Sequence, residues 1–175
     1  LGGGAGVYTE QSALDGCDKL ILPGVGSFGA GMENLRSGGL DEYVRRRAAD
    51  GTPVLGICLG MQFLLEESEE EGVFTGLGLV KGRVVPFTEG KTPHMGWNAV
   101  DDMRGPLFDG IPSGTQFYFV HSYFADTTDE FTLGTTEYYR TFASAVGKDN
   151  VFGVQFHPEK SGAAGLQLMR NFMRI

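Results

Sequence analysis

The chain predicts an α/β fold in which a sheet with parallel strands carries helices on its faces. Two observations lead there. Over the first half, short apolar runs alternate with segments of helical period, and glycine or proline breaks the chain where the apolar runs end. Parallel strands need a long crossover between them, so strand, helix, strand, helix implies a parallel sheet with helices packed on it and a ligand site at the carboxyl ends of its strands. From residue 76 to residue 123 the pattern changes to strand-like runs separated by Gly, Pro and Asp turns, which predicts a mixed or antiparallel extension.

The elements follow in order. Residues 19–22 read as a short buried strand that breaks at Pro23-Gly24-Val25-Gly26-Ser27-Phe28-Gly29. A helix is expected around 40–49, because Leu40, Tyr43, Val44 and Ala48 fall at helical spacing and Gly51 and Pro53 stop it. Residues 54–57 form a second apolar strand, and residues 61–67 read as the first turns of a helix, so the chain must reverse at Cys58. The acidic stretch 66–71, with Ser68 inside it, reads as a solvated helix end and loop. Residues 79–87, 97–100 and 116–120 are strand-like, and 142–146 pairs with 151–156 as a hairpin across Gly147-Lys148-Asp149-Asn150. A closing helix over 166–172 places Leu166, Met169, Phe172 and Met173 on one face, expected to be core.

Composition bounds the function. A length of 175 residues suits one domain with a sizeable core, and the glycines fall at turns without a repeating period. A net charge of -8, with only the short basic run Arg45-Arg46-Arg47, argues against nucleic-acid binding. Cys17 and Cys58 are the two cysteines, with no C-x-x-C and no Cys/His cluster, so neither a disulfide framework nor a metal is expected. No apolar run reaches the roughly 18 residues of a membrane span and no signal-peptide pattern opens the chain, so the expected setting is soluble and cytoplasmic. The phosphate-loop patterns are absent, so no nucleotide or other cofactor is implied.

The chemistry centres on Gly56-Ile57-Cys58-Leu59-Gly60. Glycine two residues to each side lets neighbouring backbone approach while the cysteine is held out over the sheet edge, the mechanics of a nucleophile elbow with sulfur in place of oxygen. A helix N-terminus there would lower the thiol from about 8.5 and offer the Leu59 N–H to an oxyanion. The alternative is that Cys58 is simply a small buried hydrophobe. Among three histidines, His157 is the candidate base: Pro158 biases it toward extended geometry, so Glu159 can project to the same side and orient the ring. The alternative is a His-Pro strand end with a solvated glutamate. Pro23-Gly24-Val25-Gly26 could complete an oxyanion hole, with Gly24 read as the position needing positive φ, or could be a turn required only for packing.

Taken together, Pro23-Gly24-Val25-Gly26-Ser27-Phe28, the Cys58 elbow running on to Met61-Gln62, Pro93-His94-Met95-Gly96-Trp97-Asn98, Val120-His121-Ser122-Tyr123 and Gln155-Phe156-His157-Pro158-Glu159-Lys160-Ser161 resemble, in this order, the class I glutamine amidotransferases. Within that class they look like the glutaminase subunits of imidazole glycerol phosphate synthase, from histidine biosynthesis. The elbow and His-Pro-Glu are shared by the class, whereas the Pro-His-Met-Gly-Trp-Asn and His-Ser-Tyr segments are more specific to that subunit. The resemblance implies a flavodoxin-like three-layer fold: a mixed, mostly parallel central sheet, helices on both faces and a smaller antiparallel extension. It implies hydrolysis of L-glutamine to glutamate and ammonia, with Cys58 as nucleophile, His157 as base and Glu159 as its orienter. It assigns the oxyanion hole to Gly24, Val25 and Leu59, and substrate binding to Gly26, Gln62, Ser122 and Tyr123. Met95, Trp97, Asn98 and Lys160 would meet a separate (β/α)8 cyclase subunit that receives the ammonia.

One departure accompanies the match. Members of this class begin with a strand, an Asp-Tyr-Gly-x-Gly-Asn loop and a helix, whereas this chain opens at Leu1-Gly2-Gly3-Gly4-Ala5-Gly6-Val7, so roughly one β-α unit is expected to be missing. Two other functional classes stay open on the sequence: a cysteine-elbow hydrolase acting on peptides or esters, and a catalytically inert assembly subunit.

Overall fold

A computed structural model describes residues 4–175. Of the opening segment, residues 1–3 lie outside the described residues, and residues 4–9 have no regular structure. The elements are α1 (Gln11–Leu14), β1 (Leu20–Leu22), α2 (Phe28–Ser37), α3 (Leu40–Ala49), β2 (Val54–Ile57), α4 (Leu59–Phe63), β3 (Glu67–Ser68), β4 (Phe74–Thr75), β5 (Arg83–Pro86) and β6 (His94–Val100). They continue with β7 (Thr115–His121), β8 (Tyr123–Asp126), β9 (Thr132–Tyr138), β10 (Arg140–Lys148), β11 (Val151–Val154) and α5 (Gly162–Arg174).

One sheet runs in the order β1-β2-β11-β10-β8-β5-β3-β4, with β9 also on β10, and β6 and β7 form a separate antiparallel pair. The site end is parallel: Leu22 lies beside Gly56, and Gly56 beside Gly153. Antiparallel pairing extends further than a small appendage, because β10 joins β9 and β11 across short turns, also pairs with β8, and β8 then takes up β5. Apolar side chains fill both faces. Phe28 and Met32 of α2, Tyr43 and Val44 of α3, and Leu64 pack on one; Phe117 and Phe119 of β7, Phe156, and Leu168 and Phe172 of α5 pack on the other. Among the described residues, no helix is long and apolar enough to cross a membrane.

The α3 helix has the expected bounds. Gly39 enters it at φ 65°, Asp41 and Glu42 lie in its first turn, and Arg46 and Arg47 in its last, each complementing the helix dipole. Other expectations need correction. The helix read at 61–67 begins at Leu59 and ends at Phe63, because the Glu66 N–H turns to Gly82 O and Glu67–Ser68 pairs with both β4 and β5. The acidic stretch is a strand and loop and not a helix end; Glu66, Glu67, Glu69 and Glu71 are exposed as expected, but Ser68 is fully buried, and Glu70 accepts the Phe28 N–H at 2.7 Å, capping α2. That helix had no expectation, nor had β8 or β9. The closing helix is also rotated. Its buried residues are Gly165, Leu168, Asn171 and Phe172, while Leu166 is 49% and Met173 38% exposed. A β-carbon at Gly165 would stand 1.9 Å from Pro158 O, and Asn171 donates to the carbonyls of Leu107 at 3.0 Å and Asp109 at 2.7 Å. Backbone approach and a buried amide therefore choose the face, not the long apolar side chains.

Candidate active site

The carboxyl ends of β2 and β11 build the site. Because Ile57 pairs with Val154, the next residue of β2 donates its N–H to Val154 O at 2.8 Å, and that residue is Cys58. It stands at φ 54°, ψ -112°, a conformation disfavoured for any side chain, which marks a turn held by its surroundings. The glycines explain what holds it. A β-carbon at Gly60 would lie 1.7 Å from Leu22 O, and one at Gly56 would lie 2.5 Å from Gly60 O. The oxyanion-side loop is pressed equally close, since a β-carbon at Gly24 would meet Leu59 Cβ at 2.9 Å and Gly60 N at 3.0 Å. Positive φ belongs to Gly26, at 93°, and not to Gly24, which is required for space. Val25 is 88% exposed beside them.

His157 lies three residues beyond β11. Its N–H donates to Tyr118 O at 2.9 Å, and its carbonyl accepts the Ser161 hydroxyl at 2.6 Å. The backbone is extended at His157, as expected, and a 3-10 turn over Pro158–Lys160 then brings Glu159 back beneath the ring. His157 Nδ1 lies 2.7 Å from Glu159 Oε1. A carboxylate accepts, so Nδ1 carries the proton and Nε2 is bare in the neutral ring. Among the described residues, His157 Nε2 is the one buried side-chain nitrogen or oxygen without a hydrogen-bond partner. A buried acceptor without a partner is costly, which makes Nε2 a candidate to take a proton.

The thiol differs from expectation. Burial pushes Cys58 up to about 11, and the Glu159 charge adds to the rise; the Leu59 N–H, the Gln155 amide and Lys160 act against it without prevailing. A helix of five residues has too small a dipole to offset desolvation. At neutral pH Cys58 thus rests as a thiol, its sulfur 3.9 Å from Val120 O and 3.7 Å from Gln155 Nε2 and outside hydrogen-bond reach of His157 Nε2.

Around Cys58, Gln62 is buried and donates to Tyr123 O at 3.3 Å and to Gln155 Oε1 at 3.1 Å, and Gln155 Nε2 faces the Cys58 sulfur at 3.7 Å. Ser122 and Tyr123 are half-buried at the junction of β7 and β8. Met95 and Trp97 project from alternate positions of β6 and are 62% and 56% exposed. Trp97 meets the Tyr118 ring edge-on at 6.1 Å, and Lys160 Nζ lies 5.6 Å from the centre of the same ring. This surface borders His157 through Tyr118. Asn98 is the exception among the residues read as partner-facing, since its amide turns inward to His94 and Glu137 O. Sequence reasoning missed Gln155 as a site residue, although a glutamine inside an apolar strand run was a usable signal, and missed Tyr118, which periodicity could not separate from β7 neighbours.

The sequence matches the family described as glutamine amidotransferase class-I over residues 7–175. It is 52% identical to the imidazole glycerol phosphate synthase subunit HisH of Methanocaldococcus jannaschii, over 97% of this chain and 86% of that protein. The subunit of the same name from Symbiobacterium thermophilum is 49% identical, over 98% and 82%. Among solved structures, a putative GMP synthase protein from Thermoplasma acidophilum superposes with a TM-score of 0.70 at 26% identity, covering 94% of this chain and 75% of that one. A protein described as a glutamine amidotransferase superposes at 0.75 over 95% and 83%, and at 21% identity it speaks for the fold alone. With the elbow, the imidazole–carboxylate pair and the flavodoxin-like layering already in place, the chain belongs to the class I glutamine amidotransferases, in the branch of the imidazole glycerol phosphate synthase HisH subunits.

Proposed function

We propose that the chain is a single glutaminase domain that hydrolyses L-glutamine and delivers the ammonia to a cyclase subunit of imidazole glycerol phosphate synthase, serving histidine biosynthesis. What supports the reading is that the neighbouring strands β2 and β11 lead into a strained Cys58 and into a His157 whose Nδ1 is committed to Glu159 and whose buried Nε2 is bare.

Cys58 Sγ attacks the side-chain carboxamide carbon as its proton passes to His157 Nε2, and Glu159 stabilises the imidazolium. The Leu59 N–H and the Gly24-Val25 backbone receive the oxyanion. Collapse breaks the C–N bond, the imidazolium proton goes to the leaving nitrogen, and ammonia departs from a γ-glutamyl thioester. Water then attacks with His157 taking its proton, and collapse releases glutamate and restores the thiol. Gly26, Gln62, Ser122 and Tyr123 hold the glutamine. Because burial keeps the thiol protonated, the substrate must enter before a strong nucleophile exists, which limits side reactions of the free site.

Met95, Trp97, Tyr118 and Lys160 form the docking surface for the cyclase, an aromatic patch with a basic rim of the kind interfaces favour. Cys58→Ala tests the reading: glutamine-dependent synthesis by the two-subunit enzyme should fall by about 1,000-fold or more, while synthesis from added ammonium persists. Glutamine-dependent synthesis surviving in Cys58→Ala would overturn it. A diazo-ketone glutamine analogue should label Cys58, and labelling that depends on the cyclase would favour delivery to a partner over an independent hydrolase.

A further inference from the structure

A buried polar chain runs from the strand carrying Met95 and Trp97 to the elbow, and the chemistry of its members fixes where each proton sits. The Tyr123 carbonyl can only accept, so His121 Nδ1, 2.7 Å away, carries a proton. In the neutral ring His121 Nε2 is then bare, and His94 Nδ1 donates to it at 2.9 Å. His94 Nε2, bare in turn, accepts from the Asn98 amide at 3.2 Å. That amide cannot flip, because Asn98 Oδ1 takes the Ala99 N–H at 2.8 Å while Nδ2 also donates to Glu137 O at 3.0 Å. Beyond the carbonyl, Gln62 Nε2 donates to Tyr123 O and to Gln155 Oε1. Gln155 is thereby committed to turn its own N–H toward the Cys58 sulfur.

The histidines are 4% and 6% exposed inside an aromatic cluster, where His94 stacks on Tyr138 at 3.9 Å and His121 meets Phe87 at 5.4 Å. A phenylalanine pair would fill such a place without the desolvation that two imidazoles cost. What the imidazoles supply instead is direction. The carbonyl in the middle has no proton to pass on, so the chain orients groups and does not relay protons.

We propose that His121, backed by His94 and Asn98, is a positioning residue for the glutaminase reaction: it holds the Tyr123 carbonyl, and through Gln62 and Gln155 keeps an N–H aimed at the Cys58 sulfur. The order of the exposed strand β6 is thereby coupled to the readiness of the thiol. This rests on the reading of Cys58 as the nucleophile.

His121→Phe retains the aromatic packing and removes the donor; the double variant with His94→Phe leaves no imidazole unpaired; His121→Asn restores an N–H near the Nδ1 position. In the two-subunit enzyme, His121→Phe and the double variant should lower glutaminase kcat by about 10-fold, the order expected for losing one buried hydrogen bond that acts on the reacting group. The pH midpoint for alkylation of Cys58, followed by site-resolved mass spectrometry, should move upward in both, and His121→Asn should recover kcat and midpoint together. Gln155→Leu should produce the same upward shift and add nothing further to His121→Phe, as groups acting in series require. An unchanged midpoint in both phenylalanine variants, or additive effects of His121→Phe and Gln155→Leu, would overturn the proposal. A wild-type protein that hydrolyses no glutamine would instead defeat the glutaminase reading, and the alkylation profiles would still decide the positioning role.

Discussion

At Gly60 the packing of the site reduces to one contact, since an added β-carbon would sit 1.7 Å from Leu22 O, a backbone atom that cannot swing aside as a side chain can. Gly60→Ala is expected to cost more than about 3 kcal/mol of stability, read from a shifted denaturation midpoint. Gly26→Ala is a different case. Its surroundings are open but its φ is 93°, so strain of about 1 kcal/mol is expected and the fold should persist. A larger loss at Gly26 than at Gly60 would contradict this division. The thiol gives a third residue-scale prediction. With Cys58 raised to about 11, its folded pKa lies above the unfolded one, so the stability it contributes is complete below about 8.5 and is lost as pH rises toward 11. Alkylation of Cys58 in the unliganded protein should therefore keep accelerating past pH 9; a plateau near neutrality would show an activated resting thiolate. The elbow was legible because Gly-x-Cys-x-Gly spacing expresses a steric demand within five residues. The rise in pKa was not, because desolvation depends on strands that arrive from far along the chain.

Single elements show where sequence patterns mislead. In α5 the apolar residues Leu166, Met169, Phe172 and Met173 do share a face, yet Gly165 and Asn171 set the docking angle and turn Leu168 inward. Leu168→Ala should cost about 2–5 kcal/mol and Leu166→Ala well under about 1 kcal/mol by thermal or urea unfolding. Equal costs would restore the face expected from periodicity. The β6–β7 pair carries its own pH signature. Burial holds His94 down to about 4 and His121 to about 3, below the free value of 6.5, so their contribution is fully present above pH 6.5 and is lost as pH falls through those values. The urea midpoint should decline as the pH is lowered from about 6.5, and the double variant His94→Phe, His121→Phe should flatten that decline. Strand β9 escaped sequence reading for a physical reason. Thr132–Tyr138 is rich in threonine, and its buried hydroxyls are satisfied at Thr136 by Ala99 O and Ser144, so burial there leaves no alternation of apolar and polar residues.

For the whole molecule, two apolar layers on the two faces of one sheet hold β2 and β11 side by side, and the reaction centre is what their adjacent ends present. The α/β class was legible from alternation, and the turn at Cys58 and the His157–Glu159 contact from motifs whose spacing is itself a mechanical requirement. The extent of antiparallel pairing was not, because strand partners such as β10 with β8 are chosen by tertiary packing. The same frame sets the aromatic patch of Met95, Trp97 and Tyr118 beside His157, so that a partner seated there would touch the strand whose order reaches the thiol. Trp97→Ala should weaken association with the cyclase by about 2 kcal/mol or more and leave the denaturation midpoint nearly unchanged, as expected for an exposed aromatic anchor. The most direct measurement follows the nitrogen itself: glutamine labelled with heavy nitrogen in its side-chain amide, supplied to the two-subunit enzyme in the presence of excess unlabelled ammonium. The account predicts that the heavy nitrogen enters the imidazole product, and that Cys58→Ala abolishes its entry while the unlabelled product continues to form. Heavy nitrogen entering the product in Cys58→Ala, or never entering it in the wild type, would contradict it.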